Sequence, residues 1–324
     1  MMERIIAPFT ELVLRDLDKV EERMRELPPD VDPNLKVAIK QLINSGGKRL
    51  RPTLTLLSGE MLGADPERII NLAAAIEMLH TATLVHDDLI DGALLRRGNP
   101  TLNAQWSAGA TVLSGDFIFA RAAYLAAETR SLELMRIFAE KLMVMVNGEI
   151  AQLFGTSTGN IRKDYFNRIY EKTASLFEVA THGASLLSKC DDEIRHEMKV
   201  FGYEVGIAFQ IIDDILDFTG DQEKVGKPVG SDLRQGLLTL PAIRYFEIHP
   251  DDPAKDKILN GGSGWDNELE PVIHRIRNSE AIQESFEEAR DFISSAQNRL
   301  SRMPSGEKRD ALFDLADYTV QRPL

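Results

Sequence analysis

Acidic side chains are concentrated in one short stretch, residues 84 to 97, where Asp87, Asp88 and Asp91 interrupt an apolar helical run. Residues four apart lie on one face of a helix, about 5 to 6 Å apart, so Asp87 and Asp91 point the same way. Unpaired charge beside an apolar surface is costly, which predicts a bound cation. Carboxylate oxygens that leave most of the coordination shell to water and phosphate suit Mg²⁺.

A second copy of the same spacing strengthens this prediction. Asp213, Asp214 and Asp217 repeat the D-D-x-x-D pattern inside another apolar run. A single copy could be a helix end with solvated acids, but two copies in apolar surroundings favour a metal site. The two copies are expected to face each other across a groove, with all six aspartates as metal ligands.

A basic loop offers a complementary site for an anion. Gly46 and Gly47 precede Lys48, Arg49 and Arg51, and Pro52 follows, the residue favoured at the first position of a helix. A glycine-bearing loop that leads into a helix start presents free backbone N–H groups and a positive dipole end. The loop is therefore predicted to bind a diphosphate, with a solvated basic turn as the alternative.

Taken together, these motifs resemble the trans-isoprenyl diphosphate synthase (polyprenyl synthetase) family. The resemblance runs from about Asn44 to Pro241 and includes G-G-K-R-x-R-P at residues 46 to 52 and L-H-x-A-x-L-x-H-D-D at residues 79 to 88. The resemblance also includes K-T-x-x-L-F at residues 172 to 177 and G-K-P at residues 226 to 228. It implies an Mg²⁺-dependent prenyltransferase that condenses isopentenyl diphosphate head to tail with an allylic diphosphate.

The resemblance also implies roles for individual residues. Isopentenyl diphosphate would be bound by Lys48, Arg51, His80 and Arg97. The allylic diphosphate would be bound by Arg96, Lys172, Thr173, Gln210 and Lys227. Catalysis would rest on Asp87, Asp91, Asp213, Asp217, Lys172 and Lys227, with about three Mg²⁺ ions present when both diphosphates are bound.

Composition and charge limit the possible partners. The 324 residues include 51 acidic and 38 basic ones, for a net charge of −13, which argues against nucleic acid or an anionic membrane as the main partner. A lone cysteine, Cys190, excludes an internal disulfide and fits the cytoplasm. No uninterrupted apolar run reaches the ~18 residues of a membrane span. One domain over residues 1 to 324 is expected.

Helical periodicity continues through almost the whole chain, which predicts an all-α bundle of about ten or more helices around a deep central groove. Expected helices include Pro66 to Leu95, Ile194 to Phe218 and one that starts at Asp164. The helix near Ala110 to Thr129 is apolar nearly all round, as is typical of a central helix or a subunit contact. By resemblance, it indicates a homodimer.

Product length is expected to depend on the turns before the first aspartate motif. Thr83 and Ala82, four and five residues before Asp87, are small, so the product should grow past them toward Leu79 and Ile76. Each helical turn rises 5.4 Å, close to one isoprene unit, and a product of about thirty to fifty carbons is predicted. One departure from the family is Leu237, which stands where many short-chain members have a phosphate-binding lysine.

Other functions stay open on the sequence alone. A geranylgeranyl or farnesyl diphosphate synthase and the catalytic subunit of a heteromeric synthase share these motifs. A terpene cyclase shares the first motif only. A di-iron carboxylate protein would use two E-x-x-H pairs, Glu77 with His80 and Glu193 with His196.

Overall fold

The computed structural model describes residues 8 to 96, 98 to 155, 157 to 220, 229 to 259 and 266 to 321. The predicted all-α fold is confirmed. Within these residues the only strands are β1, Leu95–Arg96, and β2, Asn99–Pro100, which pair antiparallel with Leu95 opposite Pro100. This two-residue ladder closes the turn after the first aspartate motif.

The helices, numbered in chain order, account for nearly all of the described backbone. In the first half they are α1 Pro8–Glu11, α2 Leu14–Arg25, α3 Pro33–Asn44, α4 Leu50–Met61, α5 Pro66–Ile90, α6 Leu102–Gln105, α7 Ala108–Glu128 and α8 Leu132–Leu153. The second half contains α9 Ile161–Ile169, a π-helical segment Tyr170–Ala174, α10 Ser175–Leu186, α11 Asp192–Thr219, α12 Ser231–Arg234, α13 Leu240–Ile248, α14 Ala254–Leu259, α15 Asp266–Arg277, α16 Glu280–Leu300 and α17 Glu307–Val320.

The chain divides into two compact units whose segments alternate along the sequence. The first unit comprises Met1–Leu142, Leu176–Gly202 and Arg299–Leu315. The second unit comprises Met143–Ser175, Tyr203–Asn298 and Ala316–Leu324. A single domain over the whole chain stays a prediction.

Helix α5 is the central helix of the first unit. The Asp65 carboxylate caps its start by accepting the Arg68 N–H at 3.0 Å, and Pro66 follows at the first helical position. By length and composition α5 could cross a membrane, although Glu77 and His80 interrupt its apolar sequence. Its most apolar window is 72% buried inside the protein, as in the core helix of a globular unit.

Helix α5 ends at Ile90, five residues before the predicted end at Leu95, and the correction has a local cause. Gly92, the second residue after the helix, adopts a left-handed backbone with φ of 64°, which prevents the helix from continuing. The Asn103 side-chain amide then donates to the carbonyls of Asp88 at 3.1 Å and Ala93 at 2.9 Å. These bonds satisfy backbone acceptors at the helix end.

In the second unit, the helix expected from Asp164 begins earlier and changes its winding. The Asn160 side chain accepts the Lys163 N–H at 2.9 Å and caps α9, which starts at Ile161. The backbone then widens into the π-helical segment at Tyr170–Ala174 before α10 resumes the α-helical pattern. Single π turns of this kind are found mostly at functional sites.

Candidate active site

The first aspartate motif lies at the carboxyl end of α5, and its members differ in exposure. Asp87 is half-buried, Asp91 is exposed at the helix end, and Asp88 is buried. The Arg96 guanidinium holds the Asp88 carboxylate, with Nε 2.9 and 3.0 Å from its two oxygens and Nη2 2.8 Å from Oδ1. The guanidinium predicted to bind the allylic diphosphate is therefore oriented by the second aspartate of the motif.

A close approach between α5 and α7 fixes the turn that carries this motif. A Cβ atom at Gly115 of α7 would lie 2.1 Å from Nε2 of His86, so only glycine leaves room for the imidazole. His86 Nε2 lies 3.2 Å from the Val112 carbonyl oxygen, within hydrogen-bond distance. The residue just before Asp87 is thus tied to the neighbouring helix.

The second aspartate motif lies near the end of α11, and Asp214 is its most buried member. The Tyr165 hydroxyl donates to Asp214 Oδ2 at 2.7 Å, and Gln210 Nε2 donates to Oδ1 at 2.8 Å. Burial, reinforced by the charge of Asp232, raises the pKa of Asp214 to about 8, although the two hydrogen bonds oppose the shift. Burial also raises the pKa of Tyr165 well above its usual value.

The third aspartate of this motif, Asp217, is anchored by backbone groups. Its two carboxylate oxygens accept the N–H groups of Ser231 at 3.1 Å and Asp232 at 3.2 Å, at the start of α12. Asp213 and Asp217 are both half-buried, whereas Asp214 is 3% exposed. Asp213 and Asp217 are therefore more accessible to a divalent cation than Asp214.

The donor set of both motifs fits Mg²⁺. Carboxylate oxygens are the ligands that this hard cation takes, and it keeps several positions for water and phosphate. No three His, Cys, Asp or Glu side chains among the described residues converge on one point. The residues thus suit a cation that shares its coordination with a phosphate, while the metal role of all six aspartates stays a prediction.

The basic loop between α3 and α4 is tied to α5 by a residue that the motif analysis gave no role. Lys48 is exposed, whereas Arg49 has φ of 49° and forms an ion pair with Glu77, Nη1 to Oε1, at 2.6 Å. The Arg51 guanidinium lies over the Phe177 ring, 4.6 Å from its centroid, and cation–π contact fixes its direction.

The predicted allylic ligands of the second unit have well-defined partners. Lys172 and Thr173 lie in the π-helical segment. The Thr173 hydroxyl donates to Gln210 Oε1 at 2.7 Å, which links it through Gln210 to Asp214. Lys172 Nζ lies 2.7 Å from Oε1 of Glu149 on α8, so this lysine already contacts a carboxylate.

Two predicted ligands, Arg97 and Lys227, lie outside the described residues. His80 is half-buried on α5, and Leu237 is half-buried after Gly236. Of the predicted chain-length residues, Ile76, Leu79 and Ala82 are buried, with no more than 1% exposure, while Thr83 is half-buried and donates to the His80 carbonyl at 2.8 Å.

The alternative di-iron site does not fit this geometry. Glu77 is paired with Arg49, so its carboxylate does not face a metal. Glu193 and His196 are both exposed in the first turns of α11. Neither E-x-x-H pair forms a buried carboxylate site.

Sequence reasoning missed the residues that support the predicted ligands: Arg49, Phe177, Glu149, Tyr165 and Asn103. One signal was available, because an acid such as Glu77 inside an apolar run requires a cationic partner when buried. Its identity as Arg49 depends on the fold. Glu149 and Tyr165 carried no such signal, since each could equally be a surface residue.

Comparisons with known proteins agree with these observations. Residues 32–275 match the family model described as polyprenyl synthetase. Over 309 residues the chain is 36% identical to heptaprenyl diphosphate synthase component 2 from Bacillus subtilis, covering 95% of this chain and 88% of that protein.

Solved structures agree as well. Heptaprenyl diphosphate synthase from Staphylococcus aureus superposes with a TM-score of 0.89 at 34% identity, covering 96% of this chain and 98% of that one. Polyprenyl synthase from Caulobacter crescentus, complexed with calcium and isoprenyl diphosphate, gives a TM-score of 0.86 at 33% identity, covering 97% of each chain. The chain belongs to the polyprenyl synthetase family.

Proposed function

We propose that this protein catalyses the Mg²⁺-dependent, head-to-tail condensation of isopentenyl diphosphate with an allylic diphosphate, giving a polyprenyl diphosphate and diphosphate. It is a prenyltransferase. The observation that carries the proposal is the pair of D-D-x-x-D motifs, Asp87 to Asp91 and Asp213 to Asp217, in a chain of the polyprenyl synthetase family.

Asp87, Asp91, Asp213 and Asp217 would hold the Mg²⁺ ions, about three when both diphosphates are bound. When bound, the ions supply positive charge that stabilises the departing diphosphate. Asp88 and Asp214 are proposed to act through neighbouring side chains and not as direct metal ligands. Asp88 orients Arg96, and Asp214 is hydrogen-bonded to Gln210 and Tyr165.

Cationic and neutral polar side chains are proposed to hold the two substrates. The allylic diphosphate is proposed to be bound by Arg96, Lys172, Thr173, Gln210 and Lys227. Its C–O bond ionises as the diphosphate leaves. Isopentenyl diphosphate is proposed to be oriented by Lys48, Arg51, His80 and Arg97. In this orientation its double bond attacks the allylic cation. The released diphosphate takes the proton, and no side chain is needed as nucleophile.

The product is proposed to contain about thirty to fifty carbons, because small residues precede the first motif along a helix that rises 5.4 Å per turn. Two of the similar proteins are named heptaprenyl diphosphate synthases, and such a product lies within this range. The half-buried Thr83 and the buried Ala82 are the first side chains that the growing prenyl chain would meet.

We further propose that the protein is a homodimer in the cytoplasm. Exposed apolar side chains recur every three or four residues on α8, at Met143, Val146, Ile150 and Leu153, and Phe154 follows. An apolar stripe of this kind is expected to pack against another chain. The alternative is the catalytic half of a heteromer, since one relative is named component 2 of its enzyme. Light scattering of the purified chain separates the two.

Activity is tested by incubating the purified protein with labelled isopentenyl diphosphate, Mg²⁺ and one of several allylic diphosphates, and then sizing the extracted prenols. Prenols of about thirty to fifty carbons that are lost in EDTA are expected. Products that end at fifteen or twenty carbons would indicate the shorter-chain alternatives. A cyclised hydrocarbon formed without isopentenyl diphosphate would contradict the proposed reaction.

A further inference from the structure

Arg49 lies in the loop that is proposed to bind isopentenyl diphosphate, yet its side chain turns into the protein. It has φ of 49° and ψ of 33°, a left-handed conformation that non-glycine residues rarely adopt. Backbone strain of this kind persists only where surrounding contacts impose it. The contacts of the side chain therefore explain the shape of the loop.

Three hydrogen bonds hold the guanidinium. Nη1 donates to Glu77 Oε1 at 2.6 Å, Nε donates to Glu21 Oε1 at 3.2 Å, and Nη2 donates to the Ile43 carbonyl at 2.6 Å. The side chains of Arg49, Glu77 and Glu21 are only 9%, 8% and 14% exposed. The bonds join the loop to α2, to the end of α3 and to α5.

The electrostatics of Arg49 agree with an ion-paired cluster. Burial alone would lower the pKa of Arg49, but the charges and hydrogen bonds of Glu77 and Glu21 outweigh it and raise the pKa. Removing one partner of a buried pair leaves the other charge uncompensated. Loss of Glu77 would therefore leave Arg49 with only the longer bond to Glu21 as a charged contact.

The position of this ion pair relates it to substrate binding. Arg49 directly follows Lys48, and Glu77 precedes His80 by three residues, about one helical turn. Lys48 and His80 are both proposed ligands of isopentenyl diphosphate. The pair thus connects the loop that carries one ligand to the helical turn that carries the other.

On the basis of the proposed function, we infer that Arg49 and Glu77 are positioning residues for isopentenyl diphosphate. They set Lys48 and His80 at the spacing that the diphosphate requires, and they touch no substrate themselves. A direct contact of Arg49 with diphosphate is disfavoured, because its three nitrogens already donate to Glu77, Glu21 and Ile43.

The test compares Glu77→Gln and Arg49→Lys with wild type. Isopentenyl diphosphate binding is measured by calorimetry without allylic substrate, and kcat and both KM values are measured separately. Each variant is expected to raise the dissociation constant and KM for isopentenyl diphosphate about tenfold, since loss of a charged hydrogen bond loosens the spacing. The KM for the allylic substrate should stay within about twofold.

Glu197→Gln is the matched control. Glu197 is also 8% exposed and ion-paired, with Arg299 at 3.0 Å and Arg302 at 2.9 Å, and it is not among the proposed ligands or their neighbours. It should lower the melting temperature without changing the ratio of the two KM values. Arg49→Gly separates strain from charge, because glycine adopts the left-handed backbone freely. It should show the same defect in isopentenyl diphosphate binding as Glu77→Gln.

Three results would overturn the inference: wild-type affinity for isopentenyl diphosphate in Glu77→Gln, equal changes in both KM values, or the same KM ratio shift in Glu197→Gln. If Arg49 variants do not fold, Glu21→Gln weakens the 3.2 Å bond to Arg49 and the 2.9 Å pair with Arg25 but keeps the Glu77 pair, and it should give a smaller shift in the same direction. Failure of the proposed function is distinguishable, because wild type would then not condense isopentenyl diphosphate at all.

Discussion

The two aspartate motifs have identical spacing but different surroundings. In the first motif, the middle aspartate, Asp88, is bound by the Arg96 guanidinium. In the second, Asp214 accepts hydrogen bonds from the neutral side chains of Tyr165 and Gln210. The carboxylate of Asp88 thus has a cationic partner, whereas burial raises the pKa of Asp214 to about 8.

Despite this difference, the positions within each motif divide in the same way. In each motif the middle aspartate is the buried one and is already hydrogen-bonded inside the protein, while the first aspartates, Asp87 and Asp213, are half-buried. The middle residues therefore contact proposed substrate ligands, Arg96 in one motif and Gln210 in the other. The first and third residues are expected to bind the cations.

The largest expected effect comes from removing the first aspartate of either motif. Asp87→Asn and Asp213→Asn should each lower kcat about a thousandfold or more, because metal-based charge stabilisation is worth several kcal/mol. Steady-state turnover with and without EDTA measures this. Loss of activity in one variant but not the other would show that only one motif serves the metal.

The turns before the motifs also differ, since Thr83 stands four residues before Asp87 and Phe209 four before Asp213. Thr83→Phe should shorten the main product to about fifteen or twenty carbons while the first condensation continues, because an added ring blocks growth along α5. Chromatography of the prenols gives the result. Ala82→Phe is a harsher version, since Ala82 is fully buried. An unchanged product distribution in both variants would contradict this account of length.

Neutralising the two middle aspartates should have different effects, a loss of activity at Asp88 and a gain of stability at Asp214. Asp88→Asn should lower kcat/KM for the allylic substrate about tenfold, because hydrogen bonds to charged groups are worth about 1.5 to 3 kcal/mol and Arg96 is partly exposed. Asp214→Asn should instead raise the melting temperature of the ligand-free protein by several degrees. A fall in melting temperature would show that Asp214 is charged in the folded protein.

The effect at Asp214 depends on pH in a defined direction. Below pH 3.8 the carboxyl is protonated in both folded and unfolded chains, so it has no influence on stability. Between pH 3.8 and about 8 the unfolded chain releases the proton while the folded chain retains it, and stability falls as pH rises. The stabilisation from Asp214→Asn should therefore grow across this window, to at most about 4 kcal/mol at pH 7.

The smallest expected effect concerns Lys172 and Glu149, which form a pair 2.7 Å apart in the second unit. The lysine is 42% exposed, so the pair is worth at most about 1 kcal/mol. Glu149→Gln should release Lys172 for the diphosphate and lower the allylic KM by about two- to fivefold. An increase in this KM would mean that Glu149 helps to orient Lys172 for binding.

Local sequence signals predicted much of the fold. Helix α7 begins and ends within two residues of the predicted Ala110 to Thr129, and α11 does so for the predicted Ile194 to Phe218. Helices are set by short-range periodicity and by caps, which are visible in the sequence. Gly92 was a visible signal for the early end of α5, whereas the bonds from Asn103, which lies twelve residues after Asp91, depend on the fold.

The composition of the candidate site was predictable, but its supporting contacts were not. Residue type and spacing nominate Asp88, whereas resemblance to the family nominates Arg96, Thr173 and Gln210. Asp88 binds Arg96 only eight residues further on, whereas the contact of Asp214 with Tyr165 depends on the packing of elements 49 residues apart.

The alternation of the two units along the chain has a consequence for synthesis on the ribosome. The first unit includes Arg299–Leu315 as well as Met1–Leu142, so its last segment is translated long after its first. Translation at about 5 to 20 residues per second leaves the earlier part exposed for seconds before that segment emerges. The buried apolar surface of α5 is therefore a site where chaperones are expected to bind the nascent chain.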